Sequence, residues 1–173
     1  MAMRAPGSPA QRAIVAFLAL AGLPTAPVGQ TFFATSGMPV RIEIVASCSV
    51  TATDLDFGAY DAERGAPTRG QTSIALLCAP GLVVEVSLDR GTTFGATTSR
   101  RKLNFESGLD RLDYGLYQDP GRTLNWGDTP GEDTLEVPTT GLPQTVPVYG
   151  EIRAGQRVRD GIYSDVITVR VQF

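Results

Sequence analysis

The chain has 173 residues, of which 42% are apolar, with 19 glycines, 12 prolines and a formal net charge of −3. That length holds one domain with a real core, and the apolar share argues against disorder. There is no histidine and no basic cluster beyond Arg100-Arg101-Lys102, so the commonest general base, the commonest metal ligand and the basic stripe that nucleic acid requires are all missing.

The first thirty residues differ from the rest. Arg4 and Arg12 stand in an acid-free start, Ala13 to Leu23 is an uncharged apolar run, and Pro24-Thr25-Ala26-Pro27 leads into Val28-Gly29-Gln30. A basic start, a short apolar stretch and a small-residue tail predict a secretory signal peptide over residues 1–30, cut near Gln30. The apolar run is shorter than the roughly 20 residues that span a bilayer. Without that segment the balance is 13 basic against 18 acidic residues.

From residue 31 the apolar positions recur with period two. Phe32, Ala34, Met38, Val40, Ile42 and Ile44 share one parity, with Thr35, Arg41 and Glu43 on the other. This predicts an extended strand with one apolar face over residues 31–45. Ser36 and Gly37 interrupt the apolar set, so any pocket receiving this strand is expected to be shallow there. From these residues alone the strand could complete its own fold or that of another copy.

Cys48 and Cys78 are the only cysteines. An exported chain meets an oxidising compartment, so they are expected to pair. Further along, Ile74, Leu76 and Cys78 alternate, Ala79-Pro80-Gly81 is a turn signal, and Leu82, Val84, Val86 and Leu88 alternate again. The pattern reads as a hairpin. Residues 91–102 read as a loop, Leu112, Tyr114 and Leu116 as a strand, and Asp119-Pro120-Gly121 as its stop. Residues 126–141 are a Pro/Gly/acid segment. Val146 and Val148 begin the next strand, and Tyr163, Asp165, Ile167, Val169, Val171 and Phe173 form the last. Six or seven such strands without helical periodicity predict an all-β, immunoglobulin-like sandwich over residues 46–173.

Chemistry finds little support. Asp54 and Asp56 flank Leu55 and belong to a solvated strand face; no third ligand cluster accompanies them. Glu132 and Asp133 sit near Asp128 in a loop where calcium is conceivable. Trp126 beside carboxylates could be a sugar platform, though packing at a sandwich edge is favoured. No Gly-x-Ser-x-Gly and no phosphate-binding loop occurs. The expectation is a non-enzyme with no catalytic residues, no metal and no cofactor.

Several pieces, taken together, resemble the spore coat protein U domain, the subunit family of archaic (Csu-type) chaperone–usher pili. They are Cys48-Ser-Val, Leu55-Asp-Phe-Gly58, Leu77-Cys78, Val86-Ser-Leu-Asp-Arg-Gly91, Leu112-Asp-Tyr-Gly-Leu-Tyr-Gln-Asp119, Trp126-Gly127, Val146-Pro-Val-Tyr-Gly150 and Gly161-Ile-Tyr-Ser-Asp165. No single piece is specific; the ordered set is. The resemblance implies an incomplete sandwich lacking its last strand. It further implies a periplasmic chaperone that lends a strand in transit, an outer-membrane usher, and related subunits whose N-terminal strand then fills the gap. On that reading the insertion set is Phe32, Ala34, Met38, Val40, Ile42 and Ile44. The Phe173 carboxylate is the chaperone's anchor, and the destination is a fimbrium on the cell surface that supports adhesion and biofilm formation. A secreted spore or cyst coat protein and a carbohydrate-binding module are the competing readings.

Overall fold

The computed structural model describes Met38, Pro39, Arg41, Ile42 and residues 47–173. The chain divides after Ile42 into two units, and the sandwich lies wholly in the second. In the first, Met38 and Ile42 are 83% and 82% exposed. The signal segment, Phe32, Ala34, Val40 and Ile44 lie outside the described residues.

Among the described residues nine strands follow in chain order: β1 (Cys48–Ala52), β2 (Thr68–Cys78), β3 (Val83–Leu88), β4 (Arg101–Phe105), β5 (Arg111–Tyr117), β6 (Leu135–Pro138), β7 (Gln144–Ile152), β8 (Tyr163–Ser164) and β9 (Val169–Gln172). They make a six-stranded sheet in the order β1-β2-β7-β5-β4-β8 and a three-stranded sheet in the order β6-β3-β9. Every pairing is antiparallel. The all-β sandwich expected from alternation is what forms, because each sheet has one apolar face to bury. The buried set comes from both sheets: Ile74, Leu76, Leu112, Leu116, Val146, Val148 and Ile152 from one, Val84, Val86, Leu88 and Val137 from the other.

Four local expectations change. Residues 74–88 are not a hairpin: β2 and β3 belong to different sheets, and the Ala79–Gly81 turn carries the chain between them. Thr139 holds that crossing, its Oγ1 donating to the Ala79 carbonyl at 2.6 Å and accepting from the Leu82 amide at 3.0 Å. The loop after β3 ends at Arg100, because β4 starts at Arg101. The segment 126–141 contains β6, a short edge strand whose proline falls at its last residue, where a missing amide donor costs least. The C-terminal run is two pieces, β8 on the large sheet and β9 on the small one. A single alternation in sequence therefore feeds two sheets.

Cys48 and Cys78 are direct partners in the β1–β2 register and form a disulfide. It ties an edge strand of five residues to a central-facing strand of eleven.

Trp126 is fully buried, and its Nε1 donates to the Val86 carbonyl at 2.9 Å. A ring with no exposed face cannot be a sugar platform, so that reading of Trp126 is withdrawn. Behind it lies Arg101, also 0% exposed. Its guanidinium donates to four carbonyls, those of Asp89, Thr98, Leu88 and Trp126, at 2.6–2.8 Å. Arginine has a fork of fixed donors that such a ring of acceptors can satisfy. The sequence alone reads this residue as part of the loop 91–102.

Candidate functional site

The core is not closed on every side. Between the segment Thr53–Tyr60 and the C-terminal strand runs a groove of about 850 Å³. Leu55, Phe57 and Tyr60 form one wall; Tyr163, Asp165, Ile167 and Val169 form the other; Ile74, Leu112, Tyr114, Leu116, Val148 and Ile152 are its floor. The floor residues are 1–5% exposed, whereas the wall residues remain only partly buried against the core. A sandwich that was complete along this side would bury both.

The first wall is built by two glycines. Leu55 and Phe57 follow β1 and lie across β2 and β7 at Gly70 and Gly150. A Cβ at Gly70 would stand 2.8 Å from Leu55 Cδ1, and one at Gly150 2.7 Å from both Leu55 Cδ2 and Phe57 Cζ. These contacts are closer than real Cβ atoms allow, so only glycine lets the two side chains sit down. Phe57 then meets Tyr114 edge-on at 5.9 Å between centroids. Tyr60 ends the wall, its hydroxyl accepting from the Gln156 amide at 2.7 Å and donating to the Arg153 carbonyl at 3.2 Å.

The second wall is the C-terminal strand. Tyr163 and Ser164 pair with Phe105 and Asn104 of β4; Val169 to Gln172 pair with Leu88 to Glu85 of β3. Among the described residues each stretch has one strand neighbour, so one edge of this strand presents backbone groups without a ladder partner. Unpaired edge groups beside an apolar trough are a template for strand addition and an aggregation risk if left bare.

Among the carboxylates that line the trough, Asp54, Asp56 and Asp160 are exposed and Asp165 is half-buried. Asp165 Oδ2 accepts from the Tyr114 hydroxyl at 2.9 Å. Its Oδ1 accepts from both the amide and the hydroxyl of Thr92, each at 2.9 Å. Gly91, at φ +84°, leaves the space the carboxylate occupies, since any Cβ there would collide with it. Burial first, and then the Asp165 carboxylate, push the Tyr114 phenol above its usual range.

The expected site residues divide as follows. Cys48 and Cys78 are brought together. Met38 and Ile42 are exposed, and the rest of the alternating N-terminal set lies outside the described residues. Phe173 is 61% exposed at the end of the strand. Among the described residues no cluster of three or more acidic or cysteine side chains could hold a metal, and no helix is long and apolar enough to cross a membrane. The Leu55/Phe57 wall and its two glycines were not anticipated as parts of a site. The Leu-Asp-Phe-Gly run and the isolated glycines inside two strand patterns were the signal.

An all-β, immunoglobulin-like sandwich with an open groove beside a strand edge is the class of domain that this fold defines. The chain belongs to the Spore Coat Protein U domain family, whose sequence profile it matches over residues 34–170. It is 29% identical over 174 residues to Protein U of Myxococcus xanthus, covering 93% of this chain and 97% of that protein. Among solved structures it resembles a chain of the CsuC–CsuE chaperone–tip adhesion subunit pre-assembly complex from the archaic chaperone–usher Csu pili of Acinetobacter baumannii. The TM-score is 0.55 at 20% identity, over 75% of this chain but only 40% of that one. It also resembles a chaperone–usher pilus solved to explain rod uncoiling, at TM-score 0.51 and 16% identity, over 87% of this chain and 99% of that one. At these identities the likeness is one of fold.

Proposed function

We propose that this protein is a non-enzymatic subunit of a secreted surface fibre, assembled when residues 32–44 of one copy fill the groove of the next. The observation that carries the reading is the open groove along the unpaired edge of the C-terminal strand. The N-terminal alternation Phe32, Ala34, Met38, Val40, Ile42, Ile44 supplies a strand of the right chemistry. Main-chain hydrogen bonds would give affinity, and alternate side chains in the trough would give register. Each large apolar group buried contributes roughly 1.5–3 kcal/mol, so several together make a joint that hardly dissociates. On this reading residues 1–30 are removed on export and residues 31–45 are the donor strand. Residues 46–173 are the receiving domain, a periplasmic chaperone holds the groove in transit with the Phe173 carboxylate as its anchor, and an outer-membrane usher passes the subunit on. The fibre then serves attachment and biofilm formation.

Deleting residues 31–40 tests it. The shortened subunit should still bind chaperone but should not polymerise; fibres of normal length from that deletion overturn the assignment. Unheated SDS–PAGE of the wild-type protein should show a ladder that collapses on heating.

A second reading, a secreted coat protein of a spore or cyst, is favoured by the family's description and by the end-to-end match to Protein U. The same groove-filling contact would assemble either structure. Immunogold labelling separates them, since a fibre places the protein on filaments and a coat places it on the cell envelope of resting cells.

A further inference from the structure

Two polar groups stand out as exceptions: Asp165, which is the one half-buried carboxylate lining the groove while Asp54, Asp56 and Asp160 are exposed, and Ser36, which is the one polar residue on the inward parity of the N-terminal segment. We propose that these two exceptions meet: Ser36 of an incoming strand donates to Asp165 and thereby sets the register of insertion. The proposal rests on the donor-strand reading given above.

The parity comes from the sequence. Phe32, Ala34, Ser36, Met38, Val40, Ile42 and Ile44 fall on one face of an extended strand, and of these Ser36 alone carries a hydrogen-bond donor. A carboxylate oxygen accepts about two bonds. Asp165 Oδ1 already has two, both from Thr92, while Oδ2 has one, from Tyr114. One acceptor position therefore remains on Oδ2, and a serine hydroxyl would fill it. A methionine or leucine placed there would shield the carboxylate from water and give no bond in return, which is costly.

Length and direction agree with this register. At one end of the groove β1 and β9 come together, whereas at the other the trough runs out past Val158. Ile44 is followed within four residues by Cys48 of its own β1, so the donor's tethered end must leave through the open end. The free N-terminus then points toward β9, and the strand runs antiparallel to the C-terminal wall. With Ser36 opposite Asp165, Ala34 faces Ile167, Phe32 faces Val169 and Met38 faces Tyr163. Val40 falls opposite Gly161, beside the Phe105 ring that packs on that glycine. The thirteen residues 32–44 then span 157–169, which matches the extent of the trough. A shift by one residue would turn the apolar face outward. A shift by two would put Ala34 or Met38 over the carboxylate.

The register is read by disulfide trapping in fibres of the full chain. The acceptor copy carries Ile167→Cys, and the donor copy carries Phe32→Cys, Ala34→Cys or Ser36→Cys. Ala34→Cys should give the dominant cross-link between copies. Dominance of the Phe32 or Ser36 variant overturns the register and leaves the donor-strand reading standing. Absence of a cross-link from all three overturns both. A second measurement isolates the polar contact without touching the receiving domain. Ser36→Leu should slow polymerisation by about tenfold while leaving the subunit's thermal unfolding unchanged, and Ser36→Thr should polymerise within about twofold of wild type, because it keeps the hydroxyl. Ser36→Leu assembling as fast as wild type overturns the proposal.

Discussion

Arg101 Nη2 donates to the carbonyl of Trp126 at 2.7 Å, and Trp126 Nε1 donates in turn to Val86 at 2.9 Å. Both side chains are 0% exposed. A cation and an indole thus pin the Trp126–Gly127 segment to β3, with Arg101 also holding the Leu88 and Asp89 carbonyls. The arrangement is a buried charge balanced by backbone dipoles rather than by a carboxylate in hydrogen-bond contact.

Arg101→Lys keeps the charge but can satisfy at most three of the four carbonyls, and not in the plane of the fork. We expect a loss of about 2–4 kcal/mol in urea unfolding, the range for breaking a buried charged hydrogen-bond set. Trp126 emission should stay blue-shifted and resist acrylamide quenching up to the same transition. Quenchable fluorescence in the native wild-type protein would contradict the burial.

The Cys48–Cys78 bridge closes a separation of 30 residues. On the chain-entropy account, the double change to alanine should cost about 3–4 kcal/mol. Thiol titration of the unreduced, denatured wild-type protein should find no free groups.

Gly150→Ala should push Leu55 and Phe57 off β7, since the new Cβ would stand 2.7 Å from each. A cost of about 1–3 kcal/mol is expected for such overpacking. The first groove wall should loosen more than the rest of the domain. Limited proteolysis checks this, with new cleavage expected between residues 53 and 64. Gly131→Ala, at a site with open space around it, controls for backbone strain, because its φ of +71° makes alanine unfavourable without any clash.

Stability should be flat between about pH 5 and pH 9, since no histidine titrates there. The limits come from groups whose folded pKa departs from the usual value. Burial pushes the Asp113 carboxyl up, but Lys102 and Arg100, at 2.7 and 2.6 Å, outweigh it and hold the carboxyl below 3.8. At Asp89, burial is likewise outweighed by the bonds from Thr168 and Gly91 and by Arg101. A folded pKa below the unfolded one means stability that is present above about pH 4 and lost as pH falls through the folded value. Tyr114 has the opposite sign: its phenol titrates higher when folded, through burial and Asp165, so its contribution is full below about pH 10 and declines above it. Chemical denaturation across pH should give a plateau with an acid and an alkaline shoulder. Asp113→Asn should flatten the acid shoulder, and a midpoint that titrates near neutrality would contradict the scheme.

Alternation was enough to read the all-β class and the strand content of residues 74–88, 112–116 and 146–152. Each of these follows from which side chains share a face, and period two is visible in one dimension. The ordered motifs were enough to read the family. What the sequence left open is how the faces meet. The turn at residues 79–81 looks the same whether it closes a hairpin or crosses between sheets; the partners β6 and β7, which decide it, are more than 50 residues away. Arg101 reads as part of a loop until four carbonyls, three of them 12 to 25 residues away, converge on it. Trp126 reads as an edge-packing residue with a sugar platform as the alternative, and only its full burial, with Nε1 on the Val86 carbonyl, decides between them. The groove exists only because Leu55 and Phe57 lie over glycines of two other strands, while Tyr163 to Val169 stand across from them. The sequence determined by itself that an apolar alternation precedes a disulfide-tied sandwich. Only the tertiary structure decided that one side of that sandwich is open and that Asp165 is the half-buried carboxylate along it. An opening is a relation among residues far apart in the chain, and no local pattern encodes it.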